Sequence, residues 1–346
     1  MNENPSAPSD RRLSRRAFLR LSLLAAIGVG VATIDRMAQP VGAVTYLRWL
    51  TRGRAVAALG APAIVGLAAC PSYDADLLDC LHTTWQQAAM PDVAGKRVLV
   101  KPNLVDTLEG HPATTAPEVV GAVIDLLLER GAAAVFVGDG PAFRREAAPV
   151  MAATGLEAVL ARRRVPFVDL NYDDPHPVPL RDGWFRGYNE LWLPRHVREA
   201  DLIVSIPKLK THHWARVSLS LKNLIGVVPG ARYGWPKNIV HVNAITPSIL
   251  GIYRSLPPVV AVVDGIVGME GDGPLFGTPV NHGLIAVGAD PVAVDVLCAR
   301  LMGIPLERTD HPLLAAWAGL GQGHAIDVRG AAPDRLQRTY LPPPSL

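Results

Sequence analysis

Short apolar runs alternate with longer amphipathic segments along most of the chain. Seven runs have the length and composition of buried strands: Ala63–Ala69, Arg97–Val100, Ala134–Val137, Pro166–Leu170, Leu202–Ile206, Val259–Val263 and Leu284–Val287. Helical patterns lie between most of them: Asp76–Ala89, Pro117–Arg130, Glu146–Arg164, Pro247–Ser255 and Pro291–Met302. This alternation predicts an α/β fold with a mostly parallel, doubly wound, Rossmann-like sheet and helices on both faces.

Polar residues follow the predicted strands at their carboxyl ends. Lys101 and Asn103 follow one strand, Asp139 the next, and Asp264 a later one, while Asp290 comes soon after the last strand, where its favoured role is the N-cap of the helical pattern that follows. The carboxyl ends of parallel strands lie along one edge of a sheet, where α/β proteins bind ligands. The sequence therefore predicts a ligand or cofactor site at this edge.

The segment 207–230 follows the strand Leu202–Ile206 directly and is rich in cations and imidazoles. These residues are Lys208, Lys210, His212, His213, Arg216 and Lys222, followed by Asn223. A solvated basic loop is the alternative, but Trp214 and several leucines are too apolar for one. We expect an anion to be held, with help from helix N-termini, by Lys101, Lys208, Lys210, Arg216 and Lys222, of which Lys101, Lys208 and Lys222 are favoured. Lys222 and one of the two histidines are the candidate catalytic groups.

Two metal sites are compatible with the sequence. His241, together with His212 or His213, would suit a borderline transition metal, or the same residues would share acid–base work. In the Gly-rich stretch 265–277, Glu270 and Asp272 would bind a hard cation with Asp264, or lie solvated in a tight turn. The three cysteines lack cluster spacing, so no iron–sulfur cluster is expected, although Cys70 and Cys80 would suit a disulfide in an oxidising compartment.

The N-terminus has the features of a targeting signal. The sequence SRRAFLR at 14–20 resembles the twin-arginine export motif, an apolar run follows at 21–34, and small residues at 41–43 suit cleavage. We divide the chain into a signal peptide (1–43), a linker (44–60), an α/β domain (61–330) and a C-terminal tail (331–346) over the surface. The interpretation predicts passage through the twin-arginine machinery to the periplasm or cell envelope. An ordinary signal anchor is the alternative, and membrane contact is expected only if the signal stays uncleaved.

Charge and missing motifs exclude several function classes. The formal net charge is +3, and without residues 1–43 the chain has 28 basic and 28 acidic residues. A neutral domain of this kind does not indicate a nucleic-acid partner. No GxSxG, P-loop or strand-associated GxGxxG motif is present, which disfavours serine hydrolases, P-loop NTPases and standard dinucleotide enzymes.

Five segments in order resemble the family called domain of unknown function 362. They are VLVKPNLV (98–105), ATTAPEVV (113–120), the stretch from EADLIVSIPKLK to IGVVPG (199–230), AVVDGIVGMEGDGP (261–274) and VGADPVAVDVLCARLMGI (287–304). The resemblance covers roughly residues 62–323. Some relatives carry cysteine clusters in an added ferredoxin-like segment, and this chain lacks them.

The chain also has a more distant likeness to the nickel-pincer lactate racemases. His212 precedes Lys222 by ten residues, a Pro-Gly turn follows at 229–230, and His241 lies further on. This resemblance implies that Lys222 tethers a nickel-containing organic cofactor and that His241 ligates the metal. The Gly-Gly pair of the racemases is replaced here by residues 219–221, Leu-Ser-Leu, and their second, helical domain is not evident.

The sequence therefore predicts an exported enzyme that binds an anionic small molecule or a metal-containing cofactor at the sheet edge. The alternative is a non-catalytic periplasmic binding or cofactor-maturation protein. It would use the same residues but would need no general base.

Overall fold

The computed structural model describes residues 61–142, 146–180, 184–185 and 187–344. Their strands are β1 Ala63–Ala69, β2 Arg97–Pro102, β3 Ala134–Asp139, β4 Phe167–Asp169, β5 Pro175–Pro179, β6 Glu190–Pro194, β7 Leu202–Ile206, β8 Lys208–His212, β9 Arg216–Val217, β10 Val259–Glu270, β11 Thr278–Gly288 and β12 Ile326–Gly330. Their helices are α1 Leu77–Gln87, α2 Pro117–Glu129, α3 Ala148–Thr154, α4 Leu156–Arg163, α5 Arg195–Glu199, α6 Leu219–Asn223, α7 Gly230–Tyr233, α8 Asn238–Val242, α9 Ile245–Ser255, α10 Pro291–Leu301 and α11 His311–Trp317. Short 3₁₀ turns cover Leu224–Val227, Leu306–Arg308 and Pro333–Arg335. All seven predicted strands are present.

One large sheet organises the domain. Its strand order is β12-β1-β11-β10-β7-β2-β3-β4, and β8 pairs with β10 and with the short β9. Along this order the neighbours are parallel except where β11 runs antiparallel to β1 and β10. The hairpin of β5 and β6 forms a separate small sheet. The predicted mostly parallel α/β fold is confirmed.

The strands are buried on both faces, as their continuous apolar composition predicts. Val260 and Val262 of β10 pack in a cluster with residues of α1, α2 and α4. Ala261 and Val263 point the other way and join a second cluster with residues of α10. Because side chains alternate along a strand, β10 alone contributes to both cores, and helices cover both faces of the sheet.

Two details of the predicted sheet edge were wrong. Strand β10 continues past Asp264 to Glu270, so Asp264 lies within the strand. Strand β11 runs antiparallel to its neighbours, which places its carboxyl end, and Asp290 after it, at the opposite edge. There Asp290 caps α10, since its carboxylate accepts hydrogen bonds from the backbone N–H groups of Val292 and Ala293.

One predicted helix is divided in two, and one strand beside the site was not predicted. The single helix expected over 146–164 is divided into α3 and α4 at Gly155, whose φ of 78° lies in the left-handed region that ends helices. The short β8 was not predicted, because Lys208 and Lys210 interrupt its apolar pattern.

The C-terminal segment packs against the domain, which corrects the prediction of a tail over the surface. Tyr340 is 4% exposed and belongs to the α10 core cluster. Its hydroxyl lies 2.9 Å from Nδ1 of His282, and its backbone N–H donates to the carbonyl of Met302. The tyrosine ring therefore anchors this segment to the core.

The predicted signal peptide (1–43) and linker (44–60) lie outside the described residues. Within the described part of the chain, no helix has the length and hydropathy required to span a membrane. Cys70, Cys80 and Cys298 are free thiols.

Candidate functional site

Two adjoining cavities lie at the carboxyl edge of the sheet. The first has a volume of about 70 Å³ and is here called the cationic cavity. Its charged and polar walls include Lys101, Asn103, Asp139, His212, Lys222 and Lys237. The second, the aromatic cavity, has about 40 Å³. Its walls include His212, His213, Trp214, Lys222, Ile225 and His241. His212 and Lys222 line both, so they stand where the two cavities meet.

A buried ion pair forms the floor of the cationic cavity. The Lys101 ammonium lies 2.6 Å from Oδ1 of Asp139 and 3.0 Å from Oδ1 of Asn223, and it also donates to the carbonyl of Pro102. Asp139 accepts a further hydrogen bond from the backbone N–H of Leu104 at 2.7 Å. Burial lowers the pKa of Lys101, and the adjacent Asp139 opposes that effect. Lys101 is thus held by protein acceptors and shapes the cavity.

Helix α6 carries Lys222 into the cavities. The carboxylate of Asp295, in α10, accepts hydrogen bonds from the backbone N–H groups of Ser220 and Leu221 at 2.7 and 2.9 Å. These are donors of the first turn, which have no partner within the helix. Asn223 then donates to the carbonyl of Lys101 and to the Ser205 hydroxyl, both at 3.0 Å. The helix is therefore fixed on either side of Lys222.

Lys222 is the lysine without a partner at this site. Within the described residues its amine makes no hydrogen bond and no ion pair. Burial and the nearby Lys101 cation lower the pKa of Lys222 to about 8. Both effects disfavour the charged form. A cation that the surrounding protein does not neutralise is stabilised by an anion from solution.

The two adjacent histidines have opposite hydrogen-bonding roles. Nδ1 of His212 accepts from the backbone N–H groups of Trp214 and Ala215, at 3.1 and 3.3 Å. Its proton must therefore sit on Nε2 in the neutral ring, and burial with the Lys222 and Lys210 charges lowers its pKa well below the ordinary value. Nδ1 of His213 lies 2.9 Å from the carbonyl of Gly273, an acceptor that requires a proton on Nδ1. His212 thus offers a donor at Nε2, and neutral His213 offers an acceptor there.

Sequence reasoning missed Lys237. It is fully buried in the cationic cavity wall, where its ammonium donates to Oδ1 of Asn171 and to the carbonyls of Gly226 and Val228. Burial lowers the pKa of Lys237 to about 7. A compositional signal was available, because the chain has 28 arginines and only six lysines. Five of the six are at this edge: Lys101, Lys208, Lys210, Lys222 and Lys237.

Two lysines predicted to hold the anion lie outside the lining of both cavities. Lys208 makes an ion pair of 2.9 Å with Asp264 and lies 2.6 Å from the Tyr73 hydroxyl. Lys210 donates to the carbonyls of Ala113 and Pro274, and burial lowers its pKa well below the ordinary value. Neither is available to a ligand, because buried cations need these acceptors in place of water. The prediction of a direct role for Lys208, Lys210 and Asp264 is therefore corrected to a supporting one.

Neither predicted metal site gains a third protein ligand from the described residues. No group of three or more His, Cys, Asp or Glu side chains suited to a metal ion occurs among them. Glu270 instead accepts a hydrogen bond from the backbone N–H of Leu341 at 2.8 Å, and Asp272 is exposed in the following turn. His241 lies at the aromatic cavity, with its ring edge-on to Trp214 at 5.2 Å. The glycines near Glu270 allow close packing, since a Cβ on Gly268 would meet the carbonyl oxygen of Leu209 at 2.9 Å.

Comparison with known proteins places the sequence in a family. The family described as Domain of unknown function (DUF362) matches residues 98–300. A curated thylakoid-associated protein of Synechocystis sp. is 32% identical over 234 residues, which cover 66% of this chain and 68% of the relative.

Two solved structures align with part of the chain. The lactate racemase apoprotein of Thermoanaerobacterium thermosaccharolyticum aligns with a TM-score of 0.44 at 13% identity, over 69% of this chain and 57% of that one. A structural-genomics protein of Thermotoga maritima aligns with a TM-score of 0.34 at 12% identity, over 63% of this chain and 55% of that one. The chain therefore spans little more than half the length of either solved protein.

Proposed function

The chain belongs to the DUF362 family, and we propose that it is an exported enzyme that binds an anionic small molecule between its cationic and aromatic cavities. The observation that carries this proposal is the unpartnered amine of Lys222 at the junction of the cavities.

The charges around the cationic cavity favour an anion. The described residues that line it include three lysines, Lys101, Lys222 and Lys237, and one carboxylate, Asp139. Asp139 neutralises Lys101 directly, whereas burial depresses the pKa values of Lys222 and Lys237, and the nearby Asp139 and Asp169 oppose that effect only in part at Lys237. A bound anion supplies the missing negative charge and raises both pKa values. The volume of about 70 Å³ suits a small anionic group, since one buried water needs about 10–15 Å³.

Asn103 provides a second, independent indication of a ligand. The residue is 8% exposed, and its Oδ1 has no hydrogen-bond partner although it lines the cationic cavity. Buried polar atoms of this kind are nearly always paired, so the free amide oxygen indicates a donor supplied from outside the protein. The side-chain amide presents a donor and an acceptor and therefore suits a polar ligand with both.

The histidines favour an enzyme over a simple binding protein. His212 offers a proton at Nε2, and His213, in the same cavity wall, offers an acceptor. Proton transfer during a reaction requires one group that donates a proton and one that accepts it, and both lie beside the Lys222 amine. The alternative, a non-catalytic periplasmic binding or maturation protein, would bind the same anion without changing it.

A metal held by protein ligands alone does not fit the described residues, because they provide no cluster of three donors. The amine of Lys222 and the rings of His213 and His241 line the same cavity, whereas His212 presents no free lone pair there because its Nδ1 is engaged by the backbone. The proposed function therefore includes no metal step.

Calorimetric titration with acetate, phosphate, succinate and 3-phenylpropionate tests anion binding. At pH 7 we expect saturable binding of at least one anion, and a loss of about 10–100-fold in affinity for Lys222→Met, the effect of removing one charge-assisted hydrogen bond. Lys96→Met is the matched control, because Lys96 lies in the turn before β2 and outside both cavities. Equal affinity in a folded Lys222→Met protein would refute the proposal. Conversion of a bound anion separates an enzyme from a binding protein.

Export is proposed from the twin-arginine motif at 14–20, which lies outside the described residues. Fractionation of the source cells, with wild type and a variant carrying Arg15→Lys and Arg16→Lys, tests it. We expect the wild type in the exported fraction and the variant retained in the cytoplasm. Equal distribution of the two proteins would contradict twin-arginine export.

A further inference from the structure

The junction of the two cavities defines which part of a ligand would meet Lys222. On one side lie the Asn103 amide and the ammonium groups of Lys101 and Lys237, whose protons have protein acceptors but whose positive charge favours a carboxylate nearby. On the other side lie Trp214, Pro236 and Ile245, which suit an aliphatic or aromatic group. A ligand that occupies both cavities has its middle carbon atoms beside Lys222. The site is therefore built for a small acid with an apolar side chain.

Lys222 differs from the other five lysines in its position and its contacts. Lys101, Lys208, Lys210 and Lys237 each donate to two or more protein acceptors, which occupy their ammonium protons. Lys96 lies outside the cavities in the turn before β2. Lys222 alone combines a place at the cavity junction with an amine that no described residue engages. An accessible amine with a pKa of about 8 is a nucleophile near pH 8, where about half of it is unprotonated.

The groups around the amine suit attack on a carbonyl. His212 holds its proton on Nε2, because two backbone N–H groups occupy Nδ1, and its ring lines both cavities. A neutral imidazole of this kind donates a hydrogen bond to a carbonyl oxygen and stabilises the charge that develops there. His213 has an acceptor nitrogen for the proton that the amine loses.

We propose that Lys222 forms a reversible imine with the carbonyl carbon of a 2-oxo acid that carries an apolar side chain. The proposal rests on the proposed anion-binding function and names its substrate class. The lone pair of the Lys222 amine forms the N–C bond while the carbonyl π electrons move to oxygen. The oxygen gains two protons, one from His212 Nε2 and one of the amine protons passed on through His213, and leaves as water. The second amine proton restores His212, so atoms balance and no oxidant or reductant is needed.

Borohydride trapping tests the imine in the full-length protein. Wild type is incubated with phenylpyruvate at pH 8, reduced, digested and mapped by mass spectrometry. We expect one adduct per chain, with the mass of one phenylpyruvate less one oxygen, on the peptide that contains Lys222. Lys222→Arg should give no adduct, while Lys96→Arg should react like wild type. The assignment does not depend on the variants, because mapping identifies the modified lysine in the wild type.

The remaining outcomes separate this inference from the proposed function. Binding of 3-phenylpropionate, which has the acid and the ring but no carbonyl, combined with no adduct from phenylpyruvate, would overturn the imine and leave anion binding intact. No binding of either acid would overturn both. Adducts spread over several lysines would also overturn the assignment, since they would show ordinary surface reactivity.

Two further measurements test the roles of the cavity walls. His212→Gln should slow adduct formation by at least about 10-fold, the size typical of a lost general acid, while the final extent of labelling stays near that of wild type. Pyruvate, which lacks the apolar group, should need at least about a 10-fold higher concentration than phenylpyruvate for half-labelling. An unchanged rate in His212→Gln would remove His212 from the reaction, and equal half-labelling concentrations would contradict an apolar side chain.

Charged and titratable groups from several elements lie near Lys222, so the pH dependence of trapping reflects the titration of all of them and not of Lys222 alone. They are Lys101 of β2, Lys210 and His212 of β8, His241 of α8 and His311 of α11. The cations among them favour the unprotonated amine. Trapping should rise between pH 7 and pH 9 as the amine loses its proton, and a rate that falls over this range would contradict a Lys222 nucleophile.

Discussion

Replacing Gly226 with alanine tests how closely the cavity floor is packed. A Cβ at this position would lie 2.6 Å from the ammonium nitrogen of Lys101 and 2.7 Å from its Cε, and closer still to Oδ1 of Asp139. Ordinary contacts between such atoms are about 3.5–4.0 Å, so the ion pair must separate to admit the methyl group. Breaking a buried pair costs about 3–5 kcal/mol, because each charge then lacks its oppositely charged partner. We expect Gly226→Ala to lower the free energy of unfolding by this amount.

Urea unfolding followed by circular dichroism measures the effect. The control is Gly95→Ala, which meets no atom within 4 Å but has a φ of +71°. Its cost is the left-handed conformation alone, about 1–2 kcal/mol. Lys101→Met in the Gly226→Ala background should add less than it does alone, because the ion pair is already broken. If Gly226→Ala destabilises the domain no more than Gly95→Ala, or if the two ion-pair effects add fully, the cavity floor is not organised as described.

Three further variants extend the account. Lys222→Met should stabilise the domain by about 1–2 kcal/mol at pH 7, after allowance for partial exposure, because it removes a cation with a folded pKa of about 8. Between pH 8 and the ordinary lysine pKa of 10.5, the unfolded chain binds more protons than the folded one, so wild type gains stability as the pH rises. The difference in unfolding free energy between Lys222→Met and wild type should therefore shrink over this range, which urea midpoints measure. A constant difference would contradict a depressed pKa of Lys222. Asp295→Ala leaves the N–H groups of Ser220 and Leu221 without acceptors, so it should lower the free energy of unfolding by about 1–3 kcal/mol and weaken anion binding. Unchanged anion affinity would show that α6 keeps its position without Asp295. Tyr340→Ala should cost about 3–5 kcal/mol in thermal or urea unfolding if residues 331–344 belong to the core, and no change would restore the surface tail.

The strand pattern was predictable because the sheet is buried on both faces. Continuous apolar runs predicted all seven strands, with β1 and β7 correct to the residue. The prediction of a mostly parallel sheet is confirmed, but the placement of every strand end at one edge assumed parallel strands, and β11 is antiparallel to its neighbours. Strand direction depends on which neighbours pair in the folded state, and the composition of a single run does not contain that information. The polar β8 was missed for a related reason, since the acceptors that bury Lys208 and Lys210 come from Tyr73, Asp264 and distant carbonyls.

The position of the site was predictable from strand ends, but the roles of its lysines were not. Lys101, Asn103, Asp139, His212 and Lys222 do meet in one cavity. Whether a lysine is neutralised depends on partners far away in sequence, such as Asp264 for Lys208, which lies 56 residues away. Lys237 has no strand before it and was overlooked, although lysine is scarce in this arginine-rich chain. Arginine does not replace a lysine whose function needs a compact amine that loses its proton near neutral pH.

The most direct test of the central claim is the pKa of the Lys222 amine, measured by NMR in protein labelled with ¹³C at lysine Cε. The six lysines should give six signals, and the one missing from Lys222→Met belongs to Lys222. We predict a titration midpoint near 8 in the free protein and a higher midpoint when 3-phenylpropionate is bound, because the carboxylate stabilises the ammonium form. A midpoint near the ordinary 10.5, unchanged by the acid, would show that Lys222 is a solvated surface amine and would contradict the site proposed for this protein.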